Sequence, residues 1–312
     1  MERSERLVIA GGSGLIGRTL AASWSGEGGE VVVLSRRDPE PGELPPGARA
    51  ARWDSRTIGK WAVELEGARA VVNLAGENVG AGRWTSARKR RLRSSRLEPA
   101  RTLVEATART RVRPQVFLQA SAIGFYGVAP AADGAPLEES ASPGRGFLPE
   151  LSKEWEAASL DVAALGVRRV VLRTGVVLAR EGGALPRMLP VFRLGIGGRL
   201  GDGRQLFAWI HLADVDAAIR FLIEHEEISG PVNLTAPEPV TNRELTQALG
   251  RALRRPAILP VPGIALRLLF GEMAEVLLAG VAIVPRRLLA AGFVFRYPRL
   301  QPALDDLLGA MP

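Results

Sequence analysis

The stretch Leu7-Val8-Ile9-Ala10-Gly11-Gly12-Ser13-Gly14-Leu15-Ile16-Gly17 decides how the chain is read. An apolar run gives way to glycines and then to a helical pattern, with Gly11, Gly14 and Gly17 spaced G-x-x-G-x-x-G. Such a sequence ends a buried strand, reverses tightly and opens a helix whose first amides have no partner within the helix. Glycine lets that backbone come close to a pyrophosphate, and the positive end of the helix favours its charge. Glycine-rich turns also join strands to helices for structural reasons alone. Context favours a dinucleotide site: the apolar strand lies directly before the glycines, and a second, Val31-Val32-Val33-Leu34, follows about twenty residues later. Gly11, Ser13, Gly14, Leu15, Ile16 and Gly17 are therefore the candidate pyrophosphate cradle.

Composition bounds the rest. The 312 residues can build one large domain or two, and 46% hydrophobic with 24% charged residues is the balance of a soluble globular protein. The charged opening, Met1 to Arg6, reads as lacking a signal peptide. The most apolar late segment, Ile264 to Gly280, is interrupted by Arg267, Glu272 and Glu275, whereas a membrane span needs about 20 apolar residues with few charges. There is no cysteine and only His211 and His225, so no disulfide, thiolate site or histidine-rich metal centre is expected. The cytoplasm is the expected compartment, and a homodimer is allowed for. The net charge of +8 comes from scattered arginine and one dense run, Arg88-Lys89-Arg90-Arg91-Leu92-Arg93-Ser94-Ser95-Arg96. On a helix that run points all the way round. It reads as a solvated face, or as one from which a residue such as Arg88 turns inward to an anion. Without interleaved aromatics, nucleic acid is not expected as a partner.

Strands and helices alternate through the first half: strands at Leu7–Ala10, Val31–Ser35, Ala50–Trp53, Ala70–Leu74, Gln115–Ala120 and Arg169–Arg173, with helices at Gly14–Gly26, Thr85–Thr110 and Leu148–Leu165. This predicts an α/β, Rossmann-type doubly wound parallel sheet over residues 1–175. Beyond Thr174, glycines and prolines break the chain into short pieces, with helices at Ala213–Glu224, Asn242–Leu253, Ile264–Leu278 and Gln301–Leu308. Residues 176–312 are expected to form a smaller, mostly helical substrate-covering region.

Candidate site residues fall at strand ends. Arg36 and Arg37 follow the second strand, where an acid would meet the ribose 2′-hydroxyl of NAD; arginine there suits the 2′-phosphate of NADP(H), and Arg18 could add to it. Asp54 either accepts from the adenine amino group or caps a turn. Leu74, Ala75, Gly76 and Glu77 close the fourth strand beside the expected cofactor. Ser121, ending the fifth strand, could hydrogen-bond a substrate oxygen or cap the strand, and Tyr126 could act as an acid or pack as a core ring. Trp84 and Arg88 would line an opening for a polar or anionic substrate. Trp209 and His211 lie at a loop-to-helix junction, where His211 either touches substrate or caps the helix.

Taken together, the glycine triplet, Asn73-Leu74-Ala75-Gly76, Ser121 to Gly127 and Trp209-Ile210-His211-Leu212-Ala213-Asp214-Val215 resemble the extended short-chain dehydrogenase/reductase superfamily. Arg83-Trp84-Thr85 with Arg88-Lys89, Gly183-Ala184-Leu185-Pro186, Gly271 to Leu278 and Ala291 to Pro298 narrow it to an epimerase-family subgroup with an extra C-terminal segment, about 255–305 here, of unknown role. The resemblance runs almost end to end and implies a Rossmann-type fold and NADP(H). Superfamily catalysis would place a Tyr-x-x-x-Lys pair on the helix after the fifth strand. Here Lys153 is present, to hold the nicotinamide ribose, but the position four before it is Pro149, which has no proton to give. Tyr126 is the nearest substitute. The expectation is an NADP(H)-dependent oxidoreductase or epimerase; the rival is a protein that senses the cofactor without turnover, as regulatory relatives linked to cell and plastid division suggest.

Overall fold

The computed structural model describes residues 5–129 and 134–309; the opening as far as Ser4 lies outside them. The apolar runs become strands β1 (Leu7–Ala10), β2 (Val31–Ser35), β3 (Ala48–Arg52), β4 (Ala70–Asn73), β5 (Val116–Ala122) and β6 (Arg168–Thr174). Between them run helices α1 (Leu15–Gly26), α2 (Ser86–Ala108), α3 (Phe147–Ala157) and the short α4 (Asp161–Ala164). Short strands β7 (Val176–Leu178), β8 (Leu206–Phe207), β9 (Trp209–His211), β10 (Gly230–Leu234) and β11 (Val240–Thr241) follow, with helices α5 (Leu185–Arg193), α6 (Leu212–Glu224), α7 (Asn242–Leu253), α8 (Gly263–Phe270), α9 (Ala274–Leu278), α10 (Arg286–Ala290) and α11 (Leu300–Leu308).

Seven strands form one sheet in the order β10-β6-β5-β4-β1-β2-β3, every neighbouring pair parallel. The chain winds outward from β1 to β3, then returns past β1 to β4. That reversal opens a crevice at the carboxyl ends of β1 and β4. Alternate side chains feed opposite faces: Ile9 and Val33 join Leu20 of α1 and Ile219 of α6, while Val8 and Val32 join Trp61, Leu103 of α2 and Phe117. A second core gathers Trp209 with α5, α7 and α11.

Three expectations change. The helix foreseen at Leu148–Leu165 breaks after Ala157 because Arg169, on β6, donates to the carbonyl of Glu156 and to Ser159 Oγ, and the next amide bonds i→i−3 instead. The helix foreseen at Ile264–Leu278 divides at Gly271, which takes φ +60°. The third change adds a strand. Pro231 reads as punctuation, yet β10 contains it, and β10 is the outermost strand, paired to β6 alone, where a residue without an N–H is tolerated. The sheet thus takes its last strand from beyond residue 175, and α6 is bound to α1 by Ser23 Oγ donating to Asp216 (2.8 Å) and by the Arg220–Glu27 ion pair.

The C-terminal segment is laced onto this frame. Asp214 of α6, fully buried, accepts the amides of Arg296 (2.7 Å) and Tyr297 (3.0 Å), and Arg287 donates to the carbonyls of Ser229 (2.5 Å) and Pro231 (2.8 Å). Buried Glu139 accepts the amides of Asn233 (3.0 Å) and Arg287 (3.3 Å).

The glycine turn fits its frame without slack. A Cβ at Gly17 would sit 2.6 Å from both Gly11 O and Gly12 Cα, which are backbone atoms that cannot swing aside. Gly17→Ala is therefore expected to destabilise the protein by about 3 kcal/mol, read as a lowered urea midpoint; an unchanged midpoint would show that the turn has room.

Candidate functional site

The site is built from the turn outward. Gly11 takes φ +80°, and a Cβ there would lie 2.8 Å from the carbonyl group of Leu74 and 2.9 Å from the amide of Ala75. The turn after β1 is thus pressed against the end of β4. Gly12, outside the triplet, is required as well, since its Cβ would meet Val33 of β2 at 2.6 Å. Gly14 differs: its Cβ would touch only Gly11 O, at 3.2 Å. Gly14 is the N-cap of α1, no side chain caps the helix, and no acid stands in its first turn. The first amides of α1 are therefore without a side-chain cap. From above, Gly182 and Gly183 lie against Leu15, each placing a Cβ position 3.4–3.5 Å from its methyl groups.

Of the two arginines after β2, Arg37 is bound in a bidentate pair with Glu43, while Arg36 is exposed and carries no hydrogen bond or ion pair. Arg36 is the free guanidinium. Asp54 accepts from the amides of Arg56 and Thr57 (2.8 Å each) and from Thr57 Oγ1 (2.6 Å), and these bonds hold its carboxyl down at about 2. That is the turn-capping arrangement.

The loop after β4 is fixed from below. Asn73 Oδ1 accepts the amide of Ala75 (3.2 Å), and Ser95 Oγ accepts that of Glu77 (3.1 Å). Buried Arg96 donates to the carbonyls of Glu77 (2.9 Å) and Leu92 (3.1 Å) with its guanidinium 4.8 Å from the Trp155 ring; burial lowers it to about 10, so it keeps its charge at neutral pH. A Cβ at Gly76 would be 3.3 Å from Arg96, which accounts for that glycine.

Arg88 does not reach an open pocket. It donates to Glu77 (2.8 Å) and to the carbonyl of Asn78 (2.6 Å). Lys89 pairs with Glu272 (2.5 Å) and Arg93 with Glu154 (3.0 Å), so much of the basic run is spent on internal pairs. Trp84 gives its indole N–H to Val79 O (2.9 Å) and meets Phe147 edge-on at 5.2 Å.

The expected catalytic trio does not assemble. Ser121 is 4% exposed and donates to Glu156 Oε1 at 2.7 Å. Glu156 in turn accepts Arg173 at both carboxylate oxygens (2.9 and 3.0 Å). Tyr126 is 2% exposed; it donates to Asn233 Oδ1 (2.7 Å), accepts from Arg173 (3.0 Å), and burial raises its phenol above the ordinary range. It is a core ring rather than a substitute acid, because both its donor and an acceptor position are taken inside the protein. Lys153 stands exposed without a hydrogen bond or ion pair. The Glu156–Arg173 pair was missed by sequence reasoning, since nothing local marks two residues on different elements as partners.

Trp209 and His211 are likewise structural. Trp209 has no exposed surface. His211 caps α6, its Nδ1 accepting the amide of Ala213 (3.1 Å), and its ring lies 4.0 Å from that of Tyr297. Burial pushes His211 below the usual histidine range, so the folded chain favours the neutral ring. In the unfolded chain the ring protonates near pH 6.5. Stability contributed by the neutral ring is therefore complete above about pH 6.5 and drains away as pH falls toward the lower folded value. Thermal denaturation at pH 7.5 and pH 5 should show a smaller pH-dependent loss in His211→Asn, which keeps a capping acceptor; equal losses would clear His211 of that role.

Parallel strand order, glycine turn and crevice define a Rossmann-type α/β protein of the extended short-chain dehydrogenase/reductase class. The NAD dependent epimerase/dehydratase family matches residues 7–234, more than half of the chain, and the chain belongs to that family. A domain of unknown function, DUF1731, matches residues 261–307. An epimerase family protein of Mycobacterium leprae is 40% identical over 305 residues, 97% of this chain and 95% of its own. The crystal structure of human epimerase family protein SDR39U1 (isoform 2) with NADPH superposes with a TM-score of 0.87 at 34% identity, covering 98% of this chain and 100% of that one. UDP-glucose 4-epimerase from Thermus thermophilus, solved with NAD, shares the fold alone (TM-score 0.74, 21% identity).

Proposed function

We propose that the chain binds NADP(H) and acts as an oxidoreductase or epimerase on a small molecule held at the carboxyl edge of β5 and β6. The observation that carries the first part is the uncapped start of α1, whose first turn holds no acid and whose Gly14 leaves room for a close backbone approach. Amides from Ser13 to Ile16 would hold the pyrophosphate, Arg36 the 2′-phosphate, and Leu74 to Glu77 would border the ribose and base. Arg37, already neutralised by Glu43, would contribute little. The human relative solved with NADPH supports the choice of cofactor. NADP(H), when bound, supplies hydride exchange at its nicotinamide. Lys153, exposed in the middle of α3 with no hydrogen bond or ion pair, would bind the nicotinamide ribose.

A second reading has one observation in its favour: Tyr126 is buried and Pro149 replaces the usual tyrosine, so no phenol is offered to a substrate. On that reading the protein senses NADP(H) without turning it over. Absorbance of NADPH at 340 nm, followed while carbonyl compounds and nucleotide sugars are added, separates the two: substrate-dependent loss means turnover, and a flat trace with retained binding means sensing.

Arg36→Ala should weaken NADPH roughly ten- to a hundredfold, the worth of a lost charge-assisted bond, and leave NADH nearly unchanged. Arg37→Ala should do less. Equal losses for both nucleotides, read by calorimetry, would displace the 2′-phosphate from Arg36. Gly14→Val should abolish dinucleotide binding while the melting temperature holds, since a Cβ there meets only Gly11 O, at 3.2 Å; retained binding would move the pyrophosphate elsewhere.

A further inference from the structure

Arg96 is a buried cation with no carboxylate bonded to it. It is 7% exposed, and its guanidinium donates to the carbonyls of Glu77 (2.9 Å) and Leu92 (3.1 Å), with Ser95 Oγ at 3.4 Å. An arginine taken out of water and given only neutral acceptors lowers stability, and a purely structural prop could be built from uncharged groups. The charge itself therefore calls for a partner.

The surroundings do not cancel it. Glu77, whose charge acts on Arg96, is already bound to Arg88 at 2.8 Å, so two guanidinium groups face one carboxylate. On α3, Glu150 and Glu154 flank Arg93 at 3.5 and 3.0 Å and are balanced by Arg93 and Lys153 together. One positive charge, held by the most buried member of the group, is left over.

That charge lies just behind the crevice. A Cβ at Gly76 would be 3.3 Å from both Cγ and Cζ of Arg96, while Gly76 itself is exposed at the end of β4. A single glycine thus separates the guanidinium from the space above the loop. On its other side Arg96 lies 4.8 Å from the ring of Trp155, two residues beyond Lys153. It stands between the loop expected to border the cofactor and the helix expected to hold the nicotinamide ribose.

We propose that the charge of Arg96 makes this site select the reduced dinucleotide over the oxidised one. The inference rests on the NADP(H) reading and names the form that the site prefers. The nicotinamide ring is cationic only when oxidised, so NADPH carries one more negative charge than NADP⁺. A unit charge about 10 Å away, at the effective dielectric of a protein surface, still moves an equilibrium several-fold. Arg96 would act through this field, with no contact to the ring required.

The test is calorimetry on the full chain, titrated separately with NADPH and NADP⁺ at one pH and ionic strength, and read as the ratio of the two dissociation constants. NADPH should bind roughly three- to tenfold tighter than NADP⁺. Arg96→Met keeps the hydrocarbon stem beside Trp155 and removes the charge, and should bring the ratio toward one. Arg96→Lys should keep most of the preference. Loosening of the loop alone would weaken both nucleotides alike and leave the ratio where it was, which would overturn the inference. Glu77→Gln removes the opposing charge while leaving Arg88 an acceptor, so it should raise the ratio; this variant decides the matter if Arg96→Met does not fold. A parent chain that binds NADP⁺ as tightly as NADPH, or a ratio unmoved by Glu77→Gln, sinks the inference and leaves the cofactor reading standing. If neither nucleotide binds the parent chain, the cofactor reading itself falls.

Discussion

The structure depends on one steric constraint: the turn after β1 leaves no room for a side chain at Gly11, Gly12 or Gly17. Gly11 abuts the backbone of Leu74 and Ala75, Gly12 abuts Val33, and Gly17 abuts the turn itself. The strands on either side of β1 and the helix that follows are therefore fixed relative to one point. Because the turn is held from three directions, the first amides of α1 are aimed without a side-chain cap to aim them. Order at the start of α1 comes from packing, and no side chain caps its first amides.

Around that point the chain spends its charge on itself. Arg88 clasps the loop after β4, Arg96 props it from beneath, and Arg173 sits between Glu156, Tyr126 and the carbonyl of Glu139. Buried arginine with several acceptors is costly to strip of one partner, because the remaining charge is left in a poorly solvating interior. Side chains such as Ser121 and Tyr126, which resemble a catalytic pair in the sequence, are drawn into this network instead. The polar residues at the β5–β6 edge hold the scaffold, and Lys153 and Arg36 are left exposed with no hydrogen bond or ion pair.

What could be read from sequence was what is local. The strand–glycine–helix turn, the alternation that follows and the start of α2 near Thr85 depend on neighbours within a few positions, and each was legible. What escaped depends on distant partners. Ser121 meets a carboxylate 35 residues away, and helix α3 ends where an arginine of the next strand takes its carbonyl. Trp209 reads as a loop aromatic because the short parallel pair of β7 with β9, which buries it, has no hairpin signal. Pro231 misleads for a related reason: its missing N–H disqualifies an inner strand but not a border one.

That border strand has a consequence for how the protein can be made. Until Leu234 has left the ribosome, β6 presents unpaired amides and carbonyls along the five residues that β10 later covers, Val170 to Thr174. An unshielded flank of that kind recruits other extended chains. The stretch between β6 and β10 therefore works as a delay during synthesis, and any fragment that stops within it is born with an adhesive side. Although the two regions differ in composition and rhythm, they are not separable modules: the later one closes the earlier one's sheet.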